Sequence, residues 1–262
     1  MDLTVRCQLE LFFEIATPII LRLKPQPGKA QHISQLALSF EPELAVDEFK
    51  DSFANICDRV ILPPEPVRIT LDTQASVAAQ LDSNPAAGFV RIQDLPVSQL
   101  PFLLPSRYCE SDRLGHFATD LVKGITPGYL QVNRICDWIQ GNLPYTPGSS
   151  VRPLSALEVK QQGNGVCRDL AHLAIALVRS LSIPARFVVG YLCGLVPQDM
   201  HAWLEVFVGG RWYAFDPSQG STRGGRVVVA YGRDAADVAI TDQFGPLPKL
   251  STMSVDVRQL TS

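Results

Sequence analysis

Three residues combine the right chemistry with a suggestive placement: Cys167, His201 and Asp216. Cys167 follows Gly163-Asn164-Gly165-Val166 and stands where a helix is expected to begin. Behind it Leu170, Leu173, Ala174, Leu177, Val178 and Leu181 recur at three- and four-residue steps, giving one continuous apolar face. Ser182 and Pro184 end that run. The first turn of a helix carries unpaired backbone N–H groups and the positive end of the dipole. A thiolate there is stabilised, so its pKa is expected below the free value of about 8.5. The same N–H groups could donate to an oxyanion forming on a substrate carbonyl. Glycines in the turn before Cys167 would let a substrate backbone come close.

A reactive thiolate needs a base or imidazolium partner. His172 lies five residues after Cys167 on the same helix, and at about 100° per residue it points roughly 140° away. It reads as a helix-surface or satisfied core histidine. His32, in a polar loop before a strand, and His116, in an irregular segment, read as ordinary surface residues.

His201 is distinguished by the hairpin around it. His201–Val208 and Arg211–Asp216 read as strands joined by Gly209-Gly210, a tight-turn signal. A two-residue turn puts Val208 opposite Arg211 and Asp216 opposite Trp203. His201 then shares a face with Trp203 and is a diagonal neighbour of Asp216, within about 7–8 Å at the backbone. One extra turn residue would spoil this register. The other face collects Leu204, Val206, Val208, Tyr213 and Phe215 as a buried set. In this arrangement Cys167 is the nucleophile, His201 takes and returns its proton, and Asp216 orients the imidazole and stabilises its charged form. Each residue alone has a structural explanation: a buried small hydrophobe, a strand histidine beside an aromatic, and a turn-forming Asp before Pro217. Trp203 and Trp212 either line a cleft or serve as packing.

The elements that must hold these residues follow from the rest of the chain. Arg186–Leu192 reads as a further strand. Tyr129, Val132, Ile135, Cys136 and Ile139 have helical spacing, with Thr126 as N-cap, Pro127 at the first helical position, and Gly141 and Pro144 at the end. Cys136 falls on the apolar stripe. Upstream, Leu9–Ala16, Ile33–Phe40, Asn55–Leu62 and Val67–Asp72 are short apolar runs punctuated by prolines, which suggests an antiparallel sandwich or meander. Residues 1–100 are therefore expected to form a β-rich domain, and 101–262 a catalytic one.

Composition limits the alternatives. The 262 residues are 46% apolar and 19% charged, enough for a real core, which excludes wholesale disorder. A net charge of −3 argues against nucleic-acid binding. The richest N-terminal stretch, Leu11–Leu21, is interrupted by Glu14 and Pro18 and is too short to span a membrane. It also makes a poor signal peptide, so the cytoplasm is the expected location. Six widely spaced cysteines match neither a zinc site nor a disulfide framework.

Four blocks in order, Gly-Asn-Gly-Val-Cys-Arg-Asp (163–169), Ser-Ile-Pro-Ala-Arg-Phe-Val-Val-Gly-Tyr (182–191), His-Ala-Trp-Leu-Glu-Val (201–206) and Trp-Tyr-Ala-Phe-Asp-Pro (212–217), resemble the bacterial transglutaminase-like superfamily. Pro105-Ser106-Arg107-Tyr108 and Tyr231-Gly232-Arg233-Asp234 fit more weakly. The resemblance implies an α+β fold: a papain-like transglutaminase core, with a helix packed on an antiparallel sheet, preceded by a β-sandwich-like domain. By position Cys167, His201 and Asp216 match the family's triad. The resemblance also implies cleavage or transfer of acyl groups through a thioester, on a peptide or protein substrate. Eukaryotic transglutaminases use calcium, but no acidic loop here has calcium-site spacing, so no metal or cofactor is expected. Two other readings remain open at this point: a non-catalytic peptide-binding or scaffold protein that keeps the fold, and an acyl-CoA-dependent acyltransferase.

Overall fold

Strict alternation opens the chain. In β1 (Asp2–Phe12), Leu3, Val5, Cys7, Leu9 and Leu11 are buried while their neighbours face outward, the period of a strand with one face on a core. The computed structural model describes residues 1–28, 30–220 and 223–260. β1 lies inside a four-stranded antiparallel sheet between β6 (Val67–Val77) and β12 (Leu250–Gln259), and β3 (Gln31–Glu41) forms the far edge. A second sheet has the order β11 (Thr241–Gln243), β2 (Thr17–Leu21), β5 (Ile56–Leu62), β4 (Val46–Lys50). Its Ile19, Leu21, Val60 and Leu62 join the core built by β1 and β6. The expected β-rich region is present, and it contains two strands that the apolar runs did not reveal, β2 and β4. Pro18 is accommodated because its carbonyl accepts from the Phe244 N–H, a bond that needs no donor on the proline.

The third sheet positions the chemistry. Its order is β10 (Arg226–Gly232), β7 (Ala185–Leu192), β8 (Met200–Val208), β9 (Arg211–Phe215), all antiparallel. Against it packs α4 (Cys167–Ser180), surrounded by α1 (Gly115–Leu121), α2 (Tyr129–Asn142) and α3 (Ala156–Gln162). The α+β class with helices on an antiparallel sheet is thus as expected from the sequence. The α4 stripe is broader than one face, because every residue from Asp169 to Arg179 is buried. Both sides of this helix are covered, which a single-face periodicity count does not foresee.

Several local expectations change. β11 and β12, from the expected catalytic segment, pair with β2 and β1 of the N-terminal sheets, so strand partnership does not divide at residue 100. Hydrogen bonds cross between the two parts as well: the Tyr191 hydroxyl donates to the Leu23 carbonyl, and Gln31 bonds both backbone groups of Val228. α2 starts at Tyr129 rather than Pro127. Gly128 has φ 114° and pairs with Gly88, where a Cβ would come 2.6 Å from backbone atoms of Ala87 and Gly88. His32 lies within β3 rather than in a loop, and His116 lies in α1 rather than in irregular chain. No helix among the described residues is long and apolar enough to cross a membrane.

Candidate active site

Cys167 is the first residue of α4, and the turn before it is tightly built. Gly163, at φ 77°, is the left-handed cap that ends α3. Gly165 bridges Tyr145, and a Cβ there would sit 3.0 Å from Cβ of Asp169. Both glycines are used in folding the turn. Asp169, fully buried in the first turn, ties the neighbouring loop to the helix. Its Oδ1 accepts from the Leu154 N–H at 3.2 Å and from Arg168 Nε at 3.0 Å, and its Oδ2 accepts from Ser150 Oγ and the Val166 N–H. A negative side chain in the first turn also suits the dipole.

The hairpin has the expected register. Val208 faces Arg211 and Leu204 faces Phe215, with Gly209 and Gly210 at φ 58° and 86°, the signs of a type I′ turn. That register brings His201 and Asp216 together. His201 Nε2–H donates to Asp216 Oδ2 at 2.7 Å, with the two side chains 1% and 0% exposed. The second oxygen, Oδ1, accepts from the Ser218 N–H at 2.9 Å, Ser218 Oγ at 2.8 Å and the Gln219 N–H at 3.0 Å. Asp216 is therefore both a turn former and the anchor of the imidazole. With Nε2 engaged by Asp216, Nδ1 is the ring nitrogen left for Cys167, which is near enough for its charge to bear on the imidazole.

Electrostatics follow from these contacts. Burial alone would lower the His201 pKa, but the Asp216 hydrogen bond and the nearby Asp216 and Cys167 charges outweigh it and raise the value to about 9. Burial alone would raise the pKa of Asp216, yet the His201 hydrogen bond and charge, together with Arg226, hold it far below the usual carboxylate range. The buried thiols behave oppositely: burial pushes Cys7 up to about 11, Cys109 up to about 12 and Cys136 higher still. Cys167 and Cys193 are the two half-buried thiols, and Cys167 alone of them opens a helix.

The other candidates resolve as packing. His172 is a satisfied core histidine: Nδ1–H donates to the Leu154 carbonyl at 2.8 Å, and Nε2 accepts from the Ala235 N–H at 3.2 Å. Burial lowers its pKa to about 4. Trp203 is 1% exposed and stacks on His201 with ring centroids 6.0 Å apart, so it backs the imidazole rather than lining an open cleft. Trp212 packs against Phe102, Phe207 and the Arg186 guanidinium. The two weaker sequence blocks meet each other: the Tyr108 N–H donates to Asp234 Oδ2 at 2.8 Å, and Arg179 spans both through Ser106 Oγ and the Arg233 carbonyl. Sequence reasoning missed Asp169 and Arg226. For Asp169 the signal was an acid two residues after the cysteine, at the helix start. Arg226, reaching Asp216 across the sheet, left no local signal.

Comparisons with known proteins bear on the family and the fold. Residues 115–217 match the family model of the transglutaminase-like superfamily. A solved structure of a candidate cysteine protease from Cytophaga hutchinsonii is 33% identical and superposes with a TM-score of 0.92, covering 100% of this chain and 91% of that one. An uncharacterised protein of Mycobacterium leprae is 36% identical over 111 residues, which is 39% of each chain. One from Mycobacterium tuberculosis is 35% identical over 115 residues, 38% of this chain and 37% of the relative. The match thus spans about two fifths of the length of those curated relatives.

Proposed function

The chain belongs to the transglutaminase-like superfamily, and on that premise we propose that it is a cysteine-dependent enzyme cleaving or transferring acyl groups at an amide or peptide bond. The observation that carries this reading is the buried His201 ring, fixed at Nε2 by Asp216, beside a cysteine that opens α4 and whose charge bears on the imidazole. Cys167 is the nucleophile, His201 the proton carrier and Asp216 the group that orients the ring.

The sulfur, as thiolate, adds to the substrate carbonyl. The N–H groups at the start of α4 receive the developing oxyanion. His201, as imidazolium, gives its proton to the departing nitrogen as the C–N bond breaks, leaving a thioester on Cys167. Neutral His201 then takes a proton from water or from a second amine, which attacks the thioester and restores the thiolate–imidazolium pair. Asp216 keeps Nδ1 aimed at the sulfur in each step. A peptide or protein is the proposed substrate, and the cytoplasm the proposed setting, where reducing conditions keep the thiol free.

Incubating the protein with a peptide-amide library and reading intact mass and peptide maps tests the reading. A thioester adduct on Cys167, absent from Cys167→Ala, is the expected result. No adduct from any member, with Cys167 no more reactive than the other thiols, would overturn it in favour of a binding or scaffold protein.

A further inference from the structure

We propose that Arg226 is a positioning residue of this site, a buried cation that shares Asp216 Oδ2 with His201 and so sets how firmly the carboxylate holds the imidazole proton. The inference rests on the thiol chemistry proposed above.

Arg226 opens β10, two strands away from His201 on β8. Its side chain is 4% exposed, and Nη1 lies 2.9 Å from Asp216 Oδ2 as an ion pair without hydrogen-bond alignment. Nε, Nη1 and Nη2 have no aligned acceptor. The comparison with Arg179 is informative. That guanidinium is equally buried but donates to the carbonyls of Leu104, Ala185 and Arg233 and to Ser106 Oγ, the pattern of a structural arginine. Arg226 instead meets one carboxylate oxygen and the face of Trp203, with Cζ 5.1 Å from the ring centroid. A cation in so dry a setting is costly to keep unless its charge is used.

Gly190 leaves room for the Trp203 ring that lies between His201 and Arg226. It pairs with both His201 and Val228, and the Trp203 ring crosses over it. A Cβ there would come 2.9 Å from Cη2 of Trp203 and 2.1 Å from the Val227 carbonyl oxygen. The missing side chain lets Trp203 lie flat enough to touch both His201 and Arg226.

The consequence is electrostatic. Among the described residues His201 and Arg226 are the two cationic partners of Oδ2, at 2.7 and 2.9 Å. Charge that Arg226 draws from Oδ2 weakens the acceptor for His201, so the imidazolium gives up its proton more readily to a departing amine. Other ionisable groups lie close enough for their charges to bear on this cluster. Arg223 and Glu205 approach Arg226, with Glu205 itself paired to Arg186. The Cys136 thiol approaches Asp216 from α2. Tyr145 feels the charges of Cys167 and Asp199. Cys136 and Tyr145 stay neutral because burial favours their protonated forms, so Arg226 is the charge that bears on Oδ2 directly.

Histidine-labelled protein followed by NMR through a pH titration tests this, with the His201 ring signals assigned by their loss in His201→Ala. The wild-type midpoint is expected at about 9. Removing a nearby positive charge favours the imidazolium, so Arg226→Met should move the midpoint upward by about half a pH unit or more. Arg226→Lys should bring it back toward wild type. Arg226→Gln gives the same reading should the methionine variant not fold. A folded neutral variant with an unmoved or lowered midpoint would overturn the proposal, since a purely structural arginine would change stability and leave the titration alone. Wild-type Cys167 labelled no faster than Cys193 would instead count against the enzyme reading, while the His201 midpoint still reports on Arg226.

Discussion

His201 Nε2 and Asp216 Oδ2 lie 2.7 Å apart in an interior that leaves each side chain at most 1% exposed. The pair arises from a two-glycine turn whose register brings His201, in β8, beside Asp216, the residue that follows β9. Replacing Asp216 by Asn removes the charge and leaves three donors around Oδ1 that suit the carboxyl oxygen. Asp216→Asn should stay folded, lose turnover by roughly 10³-fold or more, and show a His201 midpoint below the wild-type value of about 9. Full activity in this variant would remove Asp216 from the mechanism.

The same pair links stability to alkaline pH. The folded-state pKa of His201 is raised, so its contribution is fully present below its ordinary pKa of about 6.5. That contribution is lost as pH rises through about 9. Urea midpoints measured across this window should fall with pH in the wild type and flatten in His201→Gln.

His172 acts on the acid side. Its neutral ring donates at Nδ1 and accepts at Nε2, so a second proton would face the Ala235 N–H. The folded-state pKa is depressed to about 4, so the unfolded chain takes up a proton first as pH falls below about 6.5. Stability should drop by on the order of 3 kcal/mol between those limits. In His172→Phe that component should vanish, at the cost of about 2 kcal/mol at neutral pH for two unpaired backbone groups. Chemical denaturation at pH 7 and pH 4.5 reads both effects.

Gly190→Ala tests the floor beneath Trp203. The added Cβ meets the Val227 carbonyl oxygen at 2.1 Å, a backbone atom that cannot swing away. A loss of about 1–3 kcal/mol in unfolding free energy is expected. Slower alkylation of Cys167 should accompany it as Trp203 and His201 shift. An unchanged unfolding midpoint would show that the strand pair relaxes freely.

The legible and illegible parts of this molecule divide by range. The hairpin was readable because Gly209-Gly210 fixes a register over a few residues, and the start of α4 because the apolar steps behind Cys167 are local. The helix boundary at Gly128 was not, since its cause is Gly88, forty residues away. The return of β12 to β1 was hidden for the same reason, as Leu3 pairs with Gln259 across nearly the whole chain. β4 has little apolar character because its residues face outward, so periodicity had nothing to detect. Arg226, on β10, reaches Asp216 at the far end of the β8–β9 hairpin, a relationship that exists only once the strands of this sheet are side by side.

The most direct test of the central claim is the rate of iodoacetamide labelling at about pH 6, where ordinary thiols are largely protonated. Peptide mapping would follow all six cysteines, with Cys193 as the half-buried internal control. Cys167 should label far ahead of Cys193 and the four buried thiols, and His201→Ala should abolish that lead. Equal, slow labelling of Cys167 and Cys193 in the folded wild type would contradict a thiolate–imidazolium pair at the head of α4.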